Sequence, residues 1–261
     1  MAFLSVHVLA FIFGLLGNIV SFLVFLAPVP TFVTIFKKKS SDGFQSIPYV
    51  VALSSAKLLL YYGILKTNAS MIVSINAIGI AIEIVYLTIY VIYASRDAKM
   101  LTLKLLALFN VVGYGLMLVL TLLLLKGAQR VNAVGWICAA FNLAVFAAPL
   151  GIMRRVIRTK SVEFMPFTLS FFLTLCATMW FFYGFFVKDM FIALPNVLGF
   201  LFGITQMLLY MIYKNQKKEL PITKQHQRQD DPKLCATVID EPKLTEMKIV
   251  LDSSTRPAES N

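Results

Sequence analysis

The sequence has 261 residues, 59% of them hydrophobic and 14% charged, with a mean hydropathy of +0.79. Soluble domains carry roughly 45–50% apolar and about 25% charged residues, so no single soluble core would hide this excess and a bilayer is the natural solvent. The net charge of +11 does not mark a nucleic-acid partner: residues 1–213 hold 15 basic and 5 acidic side chains, the basic ones mostly in short loops rather than on one face.

A helix needs about 20 apolar residues to cross roughly 30 Å of hydrocarbon. The first predicted span, residues 6–29, has no basic lead-in and no small-residue cleavage site, and it runs past Asn18 to Pro28 and Pro30. It reads as a spanning helix, not a cleaved signal. Six further spans follow near residues 46–65, 70–93, 101–125, 131–153, 166–187 and 190–213. The ten-residue alternation of a membrane barrel is absent. Two charges fall deep within spans, Lys57 in the second and Glu83 in the third. Antiparallel neighbours bring them to similar depths, so they are expected to pair, with a proton site on Glu83 as the alternative. Between these spans Asn68-Ala69-Ser70 is a glycosylation sequon, set too near two helix ends to be expected to carry a glycan. Cys138, Cys176 and Cys235 stand far apart with no CxxC or Cys/His spacing, so neither a metal, a cofactor nor a disulfide framework is expected. Residues 214–261 carry nine basic and eight acidic residues with no apolar period, and are expected to form a disordered cytosolic tail.

The loops after spans 1, 3 and 5 hold nine Lys and Arg against four in the loops on the other side. The positive-inside rule places the first set in the cytosol, with the N-terminus outside and the C-terminus inside. The chain also repeats itself. Val24–Pro28 matches Val145–Pro149, and Tyr62-Gly63 matches Tyr183-Gly184, both at an offset of 121. Asn76, Gly79, Tyr90 and Tyr93 match Asn196, Gly199, Tyr210 and Tyr213 at 120, and Pro48 matches Pro166 at 118. Spans 1–3 thus resemble spans 5–7. The expected architecture is all-α, with seven transmembrane helices as two parallel three-helix bundles joined by a linker helix. Its parts are residues 1–95, the linker at 96–127, the second bundle at 128–213 and the tail. Parallel repeats around an axis along the membrane normal, with the substrate between them near the midplane, are a transporter design.

Polar groups are few enough in these spans to be informative. Ser21, Val24 and Pro28 are spaced i, i+3, i+7 on one helical face, as are their duplicates Asn142, Val145 and Pro149. Ser55 and Leu59 are duplicated as Cys176 and Trp180. With Asn76 and Asn196 they predict a chamber of amides and hydroxyls with one large aromatic face. Asparagine offers donor and acceptor to vicinal hydroxyls, and Trp180 covers the C–H face of a sugar ring. A lone Ser or Asn in a spanning helix more often bonds across helices than touches a ligand. Duplication tips Asn76 and Asn196 towards the ligand, while Ser21 and Cys176 stay open between the two. Pro28, Pro48, Pro149 and Pro166 lie at the cytosolic ends of their helices and read as a hinged gate or as simple helix starts. Tyr62, Tyr183 and Asp189 are placed to form a gate at the other end. No chain of acids and no sodium cage is evident, so uncoupled, bidirectional transport is the simplest mechanism.

Several long motifs in order resemble one known family. They are Gly17-Asn18, Phe25-Leu26-Ala27-Pro28-Val29-Pro30-Thr31-Phe32, Val162-Glu163-Phe164-Met165-Pro166-Phe167 and Ala193-Leu194-Pro195-Asn196-Val197. Over residues 10–213 the chain looks like plant SWEET sugar transporters. The resemblance implies an inner gate hinged at Pro28, Pro48, Pro149 and Pro166, and a sugar held by Asn76, Asn196, Trp180, Ser55 and Cys176. The family often has a second tryptophan opposite Trp180, where this chain has Leu59, so stacking is expected on one side only. Val24, Ser55, Val145 and Asn142, with Leu58-Leu59-Leu60-Tyr61-Tyr62, resemble the sucrose-transporting, nectary-type branch. This implies sucrose or another small sugar as cargo, the plasma membrane as location, and assembly with copies of itself or with relatives. Some of that branch also move gibberellins, which keeps a hormone cargo open. The rival classes are a seven-helix receptor, for which residues 190–213 offer no retinal lysine, and a scaffold whose Gly63 and Gly184 serve helix or oligomer contacts. No nucleophile–base or metal set converges, so no enzyme is expected.

Overall fold

The computed structural model describes residues 5–162 and 165–215. Residues 216–261 of the predicted tail and Glu163-Phe164 of the family-like motif therefore lie outside the described residues. Among the described residues, seven helices are long and apolar enough to cross a membrane: Val6–Lys38, Ile47–Leu65, Ser70–Tyr93, Arg96–Leu124, Gly127–Thr159, Phe167–Phe186 and Met190–Tyr213. They are numbered here as spans 1 to 7. Their outward faces are rich in exposed Leu, Ile, Val and Phe, as lipid contact requires.

Spans 1 and 5 are longer than their apolar runs suggested. Each is broken and then continues: Val6–Leu26 into Val29–Lys38, and Gly127–Val145 into Ala147–Thr159. Proline explains both the break and the continuation. It cannot donate inside a helix, but in the first turn of the next helical piece no donor is missed. Pro28 and Pro30 sit at the start of the second piece of span 1, and Pro149 in the first turn of the second piece of span 5. The continuations end in basic residues, Lys37 and Lys38 in one and Arg158 in the other, which is why an apolar window stops short of them. Each then ends on a left-handed lysine, Lys39 and Lys160, both at φ 53°. Both ammonium groups donate to a tyrosine of the last helix in their own half, Lys39 to Tyr93 and Lys160 to Tyr213, each at 3.1 Å. At the first break the Tyr86 hydroxyl donates to the Phe25 carbonyl at 2.8 Å while its ring stacks on Phe32.

The packing order closes a ring. Span 3 lies between spans 1 and 2, and span 7 between spans 5 and 6. The halves meet where span 1 packs on span 6 and span 2 on span 5. The linker, span 4, packs mainly on spans 2 and 3 of the first half. Gly63 and Gly184 serve this internal packing: a Cβ on Gly63 would lie 3.0 Å from Val73, and one on Gly184 2.7 Å from the Ala193 nitrogen. They are spent within the chain, not on oligomer contacts.

The expected Lys57–Glu83 pair does not form. Residues 106–113 of span 4 are a π-helix, whose altered bonding turns a carbonyl outward. Lys57 faces that segment, donates to the Asn110 carbonyl at 2.6 Å and sits 4.2 Å from the Tyr114 ring centre. Glu83 points elsewhere, beside Tyr49 and Tyr86, and its buried Oε2 has no hydrogen-bond partner. Sequence depth was a poor guide because Lys57 and Glu83 lie on different faces. Lys57→Met is expected to destabilise the protein by about 1–3 kcal/mol by stripping a buried carbonyl of its donor, read as a lower melting temperature in detergent.

Candidate functional site

The seam between the halves repeats itself about a twofold relation. Ser21 on span 1 meets Cys176 on span 6, Oγ to Sγ 3.1 Å. Their duplicates meet in the same way: Ser55 on span 2 donates to Asn142 Oδ1 on span 5 at 2.9 Å. Four residues predicted as chamber lining are thus brought together in two equivalent cross-half pairs. Trp180 joins them by donating from Nε1 to Ser21 Oγ at 2.9 Å. Ser21 and Cys176, left open between a structural and a ligand role, bond across helices here.

Asn76 and Asn196 adopt one pose. Each donates from Nδ2 to the carbonyl four residues back, Ile72 at 2.8 Å and Ile192 at 2.7 Å. Among the described residues neither Oδ1 accepts a protein hydrogen bond, which leaves each amide oxygen for something else. Val24 is half-buried and Val145 lies at the edge of exposure, on the same helical faces one turn nearer the prolines.

At one end of the seam a polar cluster ties the two halves together. Tyr62 donates to both Asp189 oxygens, at 3.0 and 2.9 Å, and Lys66 forms an ion pair with the same carboxylate. Asp189 also caps span 7 by accepting from the Phe191 amide at 3.1 Å. Tyr183 makes no part of this hydrogen-bonded group; it is buried and packs edge-on to Trp180, ring centres 5.4 Å apart. Sequence reasoning missed Lys66, which reads as a loop charge although its place four residues after Tyr62 puts it on the same face. At the other end the pieces beyond the breaks, Val29–Lys38 and Ala147–Thr159, pack within their own halves. Pro48 stands in the first turn of span 2 and Pro166 is the N-cap of span 6, both exposed, so these two start helices. Two apolar grooves, beside Leu150 and Leu209 and beside Leu53 and Leu106, contain none of the predicted site residues.

Seven spans in two like halves, with a polar seam between them, define a membrane transporter of the repeat type. The profile of the family described as sugar efflux transporters for intercellular exchange matches twice, at residues 11–98 and 132–218. The chain is 62% identical to the bidirectional sugar transporter SWEET9 of Arabidopsis thaliana, over 85% of this chain and 87% of that one. It is 64% identical to the bidirectional sugar transporter NEC1 of Petunia hybrida, over 84% and 82%. A solved eukaryotic SWEET transporter superposes with a TM-score of 0.76 at 34% identity, covering 81% of this chain and 99% of that one. This chain belongs to the SWEET family of sugar transporters. It is a multi-pass membrane protein and not an enzyme.

Proposed function

We propose that the protein is an uncoupled, bidirectional facilitator of sucrose that works by alternating access. The observation that carries this reading is the doubled pairing of Ser21 with Cys176 and of Asn142 with Ser55, beside two asparagines with open amide oxygens. A twofold seam of neutral donors and acceptors suits a cargo of many hydroxyls and no charge. The charges at its tied end, Asp189 and Lys66, neutralise each other. Opening that end requires Tyr62 and Lys66 to leave Asp189, while the breaks at Pro28 and Pro149 let the opposite end close. Pro48 and Pro166 fix where spans 2 and 6 begin and so set the rim of that gate.

Small side chains at Val24, Ser55 and Val145 leave room for a disaccharide, and Trp180 offers a face for one ring. Leu59, opposite, adds bulk without a π surface. The names of the relatives as bidirectional sugar transporters support transport in both directions. The loop charges support a cytosolic proline end and an extracellular N-terminus, and the resemblance to the sucrose-transporting branch is the ground for residence in the plasma membrane as a homo-oligomer. Residues 1–95 and 128–213 are the moving bundles, with 96–127 carried on the first.

Efflux of labelled sucrose and glucose from preloaded cells tests this at two external pH values. Sucrose is expected to leave faster than glucose, at rates that do not change with pH. Efflux that follows the proton gradient contradicts the uncoupled mechanism, and flux of gibberellin without sucrose contradicts the cargo.

A further inference from the structure

The two walls of the seam are unlike at one layer, and the difference is matched on the facing helix. On span 1, Gly14, Gly17 and Ser21 are spaced i, i+3, i+7; at an offset of 121 their duplicates on span 5 are Gly135, Cys138 and Asn142. The outermost layer keeps glycine on both sides and crowds both: a Cβ on Gly14 would lie 2.8 Å from Met71, and one on Gly135 2.6 Å from Phe191, the duplicate of Met71. The innermost layer is the pair of cross-half hydrogen bonds. Only the middle layer departs. A Cβ on Gly17 would lie 3.1 Å from Cε2 and 3.3 Å from Nε1 of Trp180, so the indole rests on the bare backbone of span 1. By the same twofold relation position 138 stands opposite Leu59. There Cys138 is buried, and Leu59 packs against the cluster that contains it.

We infer that residues 17 and 138 are positioning residues that decide which wall of the chamber carries an aromatic face. Glycine at 17 makes the room in which Trp180 lies flat and reaches Ser21. Cysteine at 138 fills the equivalent room, and leucine at 59 is the side chain that fits what is left. Large faces small on one side and medium faces medium on the other, which keeps both interfaces close-packed. A tryptophan at 59 with Cys138 in place has no backbone to rest on and is pushed into the chamber. The one-sided stacking surface is therefore a property of two facing pairs, not of Leu59 alone. This rests on the reading of the seam as the sugar site.

A pairwise exchange tests it. Leu59→Trp alone is expected to reduce sucrose flux by about tenfold, the order of effect that overpacking produces, and to lower the melting temperature of the purified protein. Adding Cys138→Gly is expected to bring flux back to within about threefold of the unsubstituted protein and to recover the melting temperature. Single and double variants that behave alike in both measurements, whether both poor or both good, overturn the inference. A spectroscopic arm needs no transport. The chain has two tryptophans; on a Trp136→Phe background Trp180 is the sole source of tryptophan emission. Gly17→Cys is expected to shift its emission maximum, and an unchanged spectrum contradicts the seat. If the unsubstituted protein moves no sugar, the function proposed above fails, while the melting and fluorescence arms still decide the packing.

Discussion

Alanine at Asn76 or at Asn196 is expected to reduce sucrose flux tenfold or more, to near background, with the protein still in the membrane. Each side chain spends its donor on its own helix and presents its Oδ1 without a protein partner. A hydrogen bond to a bound hydroxyl contributes about 0.5–1.5 kcal/mol net, and a polar cargo group left unpaired costs about 1–3 kcal/mol. The upper part of that range is one to two factors of ten in binding. Folding should suffer little, because the amide donor serves only a carbonyl within its own helix. Transport assayed beside surface labelling checks both parts. Unchanged flux in both variants would remove the two asparagines from the site.

The second large effect is expected at the tied end. Asp189→Ala should cut flux at least about tenfold and destabilise the protein by about 1–3 kcal/mol. Breaking a buried ion pair costs about 3–5 kcal/mol, but the Lys66 side chain is 26% exposed, and solvent screening lowers the cost. Alanine also removes the cap of span 7 and leaves the buried Tyr62 hydroxyl without an acceptor. Asp189→Asn separates the two roles, because asparagine is as good an N-cap as aspartate but carries no charge. It should keep most of the stability and lose most of the flux. Exchanging the charges, Asp189→Lys with Lys66→Asp, should recover part of the flux; no recovery would mean that the ion pair is not what closes this end.

The duplicated half was legible because matched residues recur at nearly constant offsets, and the ring of helices follows from it. The residues proposed to line the chamber could be chosen from the sequence only as types and faces. That Ser21 would meet Cys176, and Ser55 would meet Asn142, was not legible, since periodicity fixes a face but not which helix it opposes. Lys66 was hidden by its place at the edge of a loop, where a lysine is ordinarily a solvated charge. The latches of Lys39 on Tyr93 and Lys160 on Tyr213 were within reach, because both partners recur at the repeat offset. The Lys57–Glu83 pair failed for a different reason. Similar depth does not fix facing, and no pattern in residues 106–113 announced a π-helix whose carbonyl would take the lysine.

A structure of the protein with sucrose bound tests the central claim most directly. Sugar is predicted between the halves, in contact with both Asn76 and Asn196, with one ring over Trp180. Sugar bound within a single bundle, or either asparagine turned out to lipid, would contradict it.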